Sequence, residues 1–348
     1  MDPLLLYGAY GYTGTLVARA AVDRGLDPVL AGRDPDRLHS LGADLDCRSR
    51  AFALDDDIDA HLSGVDAVLN CAGPFERTAE PLVEACLRRG VDYLDITGEL
   101  PVFERLARRD GEAREAGVTL MPGVGYDVVP TDCLAAHLSR RLPEATHLAL
   151  ALSASGSLSA GTLKTLINGL GSGGAIREDG ALRYVPSGSK HRVVDFGSGT
   201  ETVVAVPWGD VSTAYYTTGI PNVTVYAAIP EIVQHAIRFG RPIEGLVATQ
   251  SVKRVLTGLV DRFVDGPSET ARQENETTIW GEAWSEETGE TVQSLVRTPD
   301  AYEVTVEAAL ACAEGVLDGE APTGFATPAG AFGPDLAVEL PGVSREDR

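Results

Sequence analysis

The stretch that most constrains this chain is its beginning. Pro3-Leu4-Leu5-Leu6-Tyr7 reads as a buried strand, Gly8-Ala9-Tyr10-Gly11-Tyr12-Thr13-Gly14 as a glycine-punctuated turn, and Thr15-Leu16-Val17-Ala18-Arg19-Ala20-Ala21 as a helix. A strand that turns through glycines into a helix brings backbone N–H groups and a helix N-terminus to bear on a phosphate. Glycine is needed because a Cβ at the tight turn would keep a pyrophosphate off the backbone. The spacing is G-x-x-G-x-x-G rather than G-x-G-x-x-G, and its meaning comes from the strand before it and the helix after it. A dinucleotide site is expected, with Gly8, Tyr10, Gly11, Tyr12, Thr13 and Gly14 against the cofactor.

A second apolar run, Pro28-Val29-Leu30-Ala31, ends at Gly32-Arg33-Asp34. At this place in a dinucleotide fold an acidic side chain holds the ribose hydroxyls of NAD, and an arginine accommodates the 2′-phosphate of NADP. Asp34-Pro35-Asp36-Arg37-Leu38 has the form of an N-cap followed by proline at the first helical position. Arg33, beside Gly32, is therefore read as the phosphate ligand, Asp34 as a cap, and NADP as the cofactor. The third run, Arg50 to Leu54, leads to Asp55-Asp56-Asp57, where Asp55 either meets the adenine amino group or belongs to a helix cap. The fourth, Asp66 to Asn70, enters Cys71-Ala72-Gly73-Pro74-Phe75, a shelf of small residues at the ligand end of an open sheet. Strands at Tyr93 to Ile96, followed by Thr97-Gly98-Glu99, and at Val118 to Met121 alternate with helices at Glu80 to Arg89 and Pro101 to Ala116. This alternation over residues 1–135 predicts an α/β fold, a Rossmann-type doubly wound parallel sheet.

The pattern changes over residues 136–300, where a strand (His147 to Leu152), a helix (Ser157 to Gly174) and strand-rich stretches (Arg192 to Trp208, Ser212 to Ala227) come in blocks. A helical stretch, Pro230 to Val264, and a hairpin spanning Thr277 to Val296 complete an expected α+β unit for substrate binding or dimerisation. An alanine-rich helix, Thr305 to Leu317, falls within residues 301–335, and residues 336–348 are expected as a tail.

Composition narrows the partners. With 51 acidic and 29 basic residues the net charge is −22, and Lys164, Lys190 and Lys253 are the only lysines. Such a surface repels nucleic acid and anionic membranes, and no apolar run approaches the roughly 18 residues of a membrane span. The first strand starts by Pro3, leaving no room for a signal peptide, so a cytoplasmic protein acting on a small molecule is expected, without stable membrane insertion and with a homodimer left open. The acid-rich, lysine-poor balance suits a halophilic cytoplasm, where salt screens the self-repulsion. Cys47, Cys71, Cys86, Cys133 and Cys312 form no C-x-x-C pair and the histidines no H-E-x-x-H pattern, so no metal site is expected.

Several segments together resemble the saccharopine dehydrogenase-like family of NADP-binding oxidoreductases, nearest its trans-acting enoyl reductase branch. They are Gly8 to Gly14 with Ala31-Gly32-Arg33, Asn70 to Phe75, Tyr93 to Glu99 and Gly123 to Asp132. Further along come Ser159 to Thr162, Trp208-Gly209-Asp210 with Thr218 to Asn222, and Thr327 to Gly333. The resemblance implies a Rossmann domain, an α+β domain folding over the nicotinamide, and a last helix returning to the Rossmann domain. The Gly125 to Pro130 turn lacks the aspartate-proline-glycine sequence associated with saccharopine enzymes proper. Those enzymes call for paired arginines in the second domain, and Arg177, Arg183, Arg192, Arg238 and Arg241 are available.

Hydride transfer needs no protein nucleophile, only orientation and a proton donor where one is required. Asp95, Thr97, Glu99, Tyr126 and Asp127 fall where the fifth and sixth strands end. Asp95 and Thr97 also suit turn formation and Thr131 and Asp132 helix capping. Tyr126 is taken as the candidate donor, with Asp127 beside it. Lys164 could neutralise a developing enolate or be a solvated lysine on an amphipathic helix. Cys71, Ala72, Gly73, Pro74, Phe75, Thr97 and Gly98 are expected around the cofactor, Cys71 as a small buried residue. Three functions fit: an NADP(H)-dependent reductase of a C=C or C=O/C=N bond, a redox-inactive NADP-binding sensor or partner protein, or a true saccharopine-type amino-acid dehydrogenase.

Overall fold

A computed structural model describes residues 4–153, 173–186, 188–228 and 277–348. The chain divides into two units, Met1–Cys133 with Ala301–Pro341, and Leu134–Asp300 with Gly342–Arg348.

The first unit is built on seven strands: β1 (Leu4–Tyr7), β2 (Val29–Gly32), β3 (Ser49–Ala51), β4 (Ala67–Asn70), β5 (Asp92–Asp95), β6 (Thr119–Met121) and β15 (Gly324–Phe325). All pair in parallel, in the order β15-β6-β5-β4-β1-β2-β3. This is the doubly wound order 3-2-1-4-5-6 with one strand added, and its direction of winding reverses between β1 and β4, where such sheets bind ligands. β1, β2 and β4 are buried at every position, as strands covered on both faces should be. Helices α1 (Tyr12–Asp23), α2 (Pro35–Leu45), α3 (Ile58–His61), α4 (Phe75–Arg89), α5 (Leu100–Ala107), α6 (Asp110–Ala116) and α7 (Val129–Arg141) connect them. Leu5, Val29, Val68, Leu82, Tyr93, Leu106 and Leu120 lie in one buried core. The helix expected from Pro101 to Ala116 is broken at Arg108 and Arg109 into α5 and α6.

Among the described residues, the second unit holds a nine-stranded mixed sheet around β7 (His147–Leu152). β12 (Asn222–Ala228) pairs with it in parallel and β13 (Thr277–Trp284) antiparallel. β13 and β14 (Thr291–Thr298) form the expected hairpin. β10 (His191–Asp195) and β11 (Thr200–Ala205) extend the sheet on one side, and β8 (Gly174–Glu178) with β9 (Ala181–Val185) pairs onto β12. Leu134 and Leu138 of α7 leave no room for a side chain at Gly281 of β13.

Two expectations change. The stretch Ser212 to Ala227 is not all strand, because α8 (Asp210–Thr218) occupies its first half and stops at Gly219, φ 72°. Val, Thr and Tyr favour strands, but burial of Val211, Ser212, Thr213 and Ala214 overrides that weak preference. Residues 336–348 are not a loose tail: α11 (Leu336–Glu339) is followed by β16 (Ser344–Asp347), which pairs antiparallel with β14. The expected helices over Ser157 to Gly174 and Pro230 to Val264, and with them Lys164, Arg238 and Arg241, fall outside the described residues apart from Gly173 and Gly174. Among the described residues, no helix is long and apolar enough to cross a membrane.

The long helix that returns to the first unit, α9 (Ala301–Leu317), begins a full turn before the expected Thr305. It is followed by α10 (Pro328–Phe332).

Candidate dinucleotide site

The loop after β1 and the loop after β4 meet at the reversal point. Gly8 has φ +81°, and a Cβ there would lie 2.9 Å from the Ala72 backbone nitrogen. A Cβ on Gly14 would lie 2.2 Å from the Gly8 carbonyl oxygen, so α1 can start this close to β1 only with glycine. The loop closes with the Gly11 N–H donating to the Gly8 carbonyl (2.9 Å) and the Thr15 hydroxyl to the Ala9 carbonyl (3.1 Å).

What distinguishes α1 is its open start. Gly11 offers no side-chain cap, and the first turn carries no acid. The neighbouring helices are closed by the chain's own oxygens. Asp34 accepts from the N–H groups of Asp36 and Arg37 (both 3.1 Å) at α2, the capping role read from the sequence. At α4, the Glu99 carboxylate accepts from Phe75 N–H (2.8 Å) and Glu76 N–H (2.7 Å). An anion approaching this edge of the sheet thus meets, at α1, a helix start with neither a side-chain cap nor an acid, where helix dipole and N–H groups favour negative charge. Phe75, expected against the cofactor, has its N–H committed to Glu99 instead.

Tyr10 links this loop to the end of β2. Its ring fills the space left by Gly32, where a Cβ would lie 2.7 Å from ring carbon Cε1. Its hydroxyl accepts from Asp34 N–H (3.2 Å), and the Arg37 guanidinium sits 4.5 Å above the ring while donating to the Tyr10 carbonyl (2.9 Å). Arg33 is exposed and makes no ion pair among the described residues. Two arginines, Arg33 after β2 and Arg37 in the first turn of α2, thus follow the second strand. Arg37 was not singled out in the sequence, although its place one turn from Arg33, just inside the cap, was the available signal. Tyr7, beneath them, has its hydroxyl pushed up to about 12, chiefly by burial and then by Tyr10, Asp56 and Asp55 against the opposing charge of Arg33. Asp55 is exposed, while Asp56 accepts from Ala53 N–H (2.7 Å) and shapes the turn after β3.

At the ends of β4, β5 and β6 lies a closed polar network. Asp95, fully buried, accepts from Thr97 N–H (3.0 Å) and Gly123 N–H (3.1 Å) with one oxygen and from the Tyr93 hydroxyl (2.9 Å) with the other. Asn70 donates to the Tyr93 and Thr78 hydroxyls (both 3.1 Å) and accepts from Ala72 N–H (2.9 Å). Burial outweighs those donors and pushes the Asp95 carboxyl up to about 6. The Cys71 thiol is pushed up to about 12 by burial and then by Asp95, so it is a neutral group at neutral pH, although the residue is half-buried rather than buried as read from the sequence. Thr97 is a correction: it is fully buried, and its hydroxyl accepts from Glu99 N–H (3.0 Å), so it builds the turn rather than facing a ligand. Thr131 and Asp132 do not cap their own helix, because α7 starts before them. Thr131 donates to the Val128 carbonyl (2.8 Å), and Asp132 accepts from Ala329 N–H (2.8 Å) at α10.

Of the two candidates after β6, Asp127 is exposed, yet the density of atoms around it pushes its carboxyl above the usual range. That carboxylate leaves 2.9 Å between its Oδ2 and a Cβ built on Gly98, which brings two expected site residues together. Tyr126 is half-buried, and its N–H donates to the Thr305 hydroxyl of α9 (3.1 Å). Tyr12, 49% exposed at the start of α1, meets Tyr302 of α9 edge-on at 4.9 Å.

Of the arginines considered for carboxylate binding, the three among the described residues are engaged within the second unit. Arg177 is buried 4.2 Å over the Tyr215 ring and donates to the Gly180 carbonyl (3.0 Å). Arg183 pairs with Glu178 (2.7 Å), and Arg192 pairs with Glu282 (3.0 Å) over Trp280.

Fold and loop together define a nucleotide-binding α/β unit with one open helix start at the reversal of its sheet. Residues 4–121 match the saccharopine dehydrogenase NADP binding domain family. Over those residues the first unit is similar to a family of nicotinamide-dinucleotide-binding domains, in line with the resemblance read from the sequence. Over 151 residues the chain is 30% identical to a trans-acting enoyl reductase of Mycobacterium ulcerans, covering 40% of this chain and 36% of that protein. It is 29% identical over 202 residues to a lipid droplet localized protein of Caenorhabditis elegans, covering 52% of this chain and 47% of the other. The chain thus spans less than half the length of either relative. Among solved structures, apo saccharopine dehydrogenase (L-Glu forming) from Saccharomyces cerevisiae shares the fold at TM-score 0.68 and 13% identity, covering 100% of both chains.

Proposed function

We propose that the protein is an NADP(H)-dependent oxidoreductase that reduces a C=C or C=O/C=N bond in a metabolite or lipid precursor. The observation that carries the cofactor choice is the pair Arg33, after β2, and Arg37, in the first turn of α2, with Asp34 spent on capping α2. A ribose 2′-phosphate is met there by two guanidinium groups, whereas no carboxylate remains at Asp34 to hold the free hydroxyls of NAD. The bound nicotinamide supplies the hydride. Asp127, with its raised carboxyl against Gly98, is the residue placed to supply a proton, in preference to Tyr126, and Asp95 and Glu99 are spent on backbone donors.

The engagement of Arg177, Arg183 and Arg192 supports a substrate other than a dicarboxylic amino acid. The enoyl reductase relatives support an enoyl thioester as the first substrate to try. The test is a fluorescence titration with NADPH and NADH at high salt, followed by turnover on a panel of keto acids, imines and enoyl thioesters. Removing Arg33 or Arg37 (Arg33→Ala, Arg37→Ala) is expected to weaken NADPH about tenfold or more, the value of one charge-assisted contact, and to leave NADH unchanged. Tighter binding of NADH than NADPH by the unaltered protein would reject the reading. Tight NADPH binding without turnover of any substrate would favour a sensor or partner protein.

A further inference from the structure

The turn that carries Asp127 hangs on three N–H groups. Gly123 N–H donates to the Asp95 carboxylate (3.1 Å), and Val124 N–H to the Asp95 carbonyl (2.8 Å). Tyr126 N–H, next to Asp127 itself, donates to the Thr305 hydroxyl at 3.1 Å, across 179 residues of sequence. That hydroxyl both accepts and donates, since its own proton goes to the Ala301 carbonyl (2.7 Å). The Thr305 methyl group lies 3.2 Å from where a Cβ on Gly125 would stand, so the helix and the turn approach as closely as glycine permits.

The helix is itself anchored along α1. Tyr302 meets Tyr12 at the start of α1. Arg24 at the end of α1 pairs with Glu307 (2.5 Å) and Glu314 (3.3 Å) of α9. One helix therefore fixes α1 at both ends and, through a single hydroxyl, fixes the turn after β6.

We propose that Thr305 is a positioning residue that holds the Tyr126–Asp127 peptide, and with it the Asp127 carboxylate, at the nicotinamide end of the site. This rests on the dinucleotide reading. Without the hydroxyl, the Tyr126 N–H loses this acceptor while the Asp95 attachments and the Val128 and Val129 N–H bonds to the Gly125 carbonyl remain, so the Asp127 carboxylate is held less firmly beside Gly98. The phosphate loop is untouched, because none of its hydrogen bonds passes through Thr305.

The experiment compares the full chain with Thr305→Val, which keeps the shape and removes the hydroxyl, and Thr305→Ser, which keeps the hydroxyl. Amide hydrogen exchange over residues 123–129 needs no ligand. Thr305→Val is expected to speed exchange at Tyr126 about fivefold or more, the loss of one hydrogen bond, and Thr305→Ser to restore the slow rate. NADPH titration is the second readout. Thr305→Val should change the emission of bound nicotinamide with less than about a threefold change in Kd, as fits an intact phosphate loop, while Thr305→Ser behaves as the parent. Unchanged exchange at Tyr126 in Thr305→Val, or failure of Thr305→Ser to restore it, overturns the proposal. If exchange responds but the nicotinamide emission does not, the turn is not at the nicotinamide end and the proposal also fails. Absence of NADPH binding by the parent chain sinks the dinucleotide reading, and it is told apart because the exchange measurement stands without ligand.

Discussion

Asp95→Asn separates the cost of burying a charge from the value of the hydrogen bonds around it. In the folded protein the Asp95 carboxyl titrates at about 6 against 3.8 for the free group. A difference of about 2 units corresponds to about 3 kcal/mol. Because the folded value is raised, the folded state binds the proton more tightly than the unfolded chain. The stability linked to this group is fully present below pH 3.8 and is lost as pH rises through about 6. Asparagine does not titrate. Its carbonyl oxygen can still accept from Thr97 and Gly123 N–H, but its NH2 cannot accept the Tyr93 hydroxyl proton, a loss of about 1–3 kcal/mol.

At pH 4, therefore, the variant should be the less stable protein by about 1–3 kcal/mol, the orphaned Tyr93 hydroxyl alone. At pH 8 the buried-charge cost is gone from the variant, and the gap should move by about 3 kcal/mol in its favour. The assay is urea unfolding of both proteins at matched salt from pH 4 to 8, read as the difference in unfolding free energy. All other titrating groups are shared and cancel to first order. A difference that stays flat with pH would show that the carboxylate titrates normally in the fold. A difference moving the other way would show that its three donors outweigh burial, and either result would refute the reasoning.

Other outcomes follow from the same contacts. Gly14→Ala places a Cβ against the Gly8 carbonyl, so the variant should lose dinucleotide binding and about 2 kcal/mol or more of stability, checked by NADPH titration alongside thermal melting. Glu99→Gln leaves one of the two N–H groups at the start of α4 without its acceptor. It should cost about 1–2 kcal/mol in urea unfolding, and unaltered stability would show that water replaces the carboxylate at no loss. With a net charge of −22, the melting temperature should climb as KCl is raised from millimolar to molar concentrations, since screening relieves self-repulsion within a shortening Debye length. A flat or falling curve would argue that the acidic surface imposes no such burden.

The glycine turn after β1, the parallel sheet and the capping role of Asp34 were legible in the chain because each depends on residues close together in sequence. A buried run followed by glycines and a helix leaves few backbone paths, and Asp34-Pro35 signals a helix start wherever it occurs. Much of the remainder was not local. Thr305 and Tyr126 are 179 residues apart, and Glu99 reaches back 24 residues to Phe75. Asp95, Glu99 and Asp127 are all carboxylates near strand ends, and nothing in their order says which is enclosed by donors and which faces solvent. Hydrogen-bonding groups take whatever partner the folded backbone brings within about 3 Å. Packing therefore assigned Asp95 to the core, Glu99 to the start of α4 and Asp127 to the open edge. The chain's own order dictated a glycine turn between β1 and α1, and the tertiary contacts decided which acid was enclosed by donors and which was left exposed.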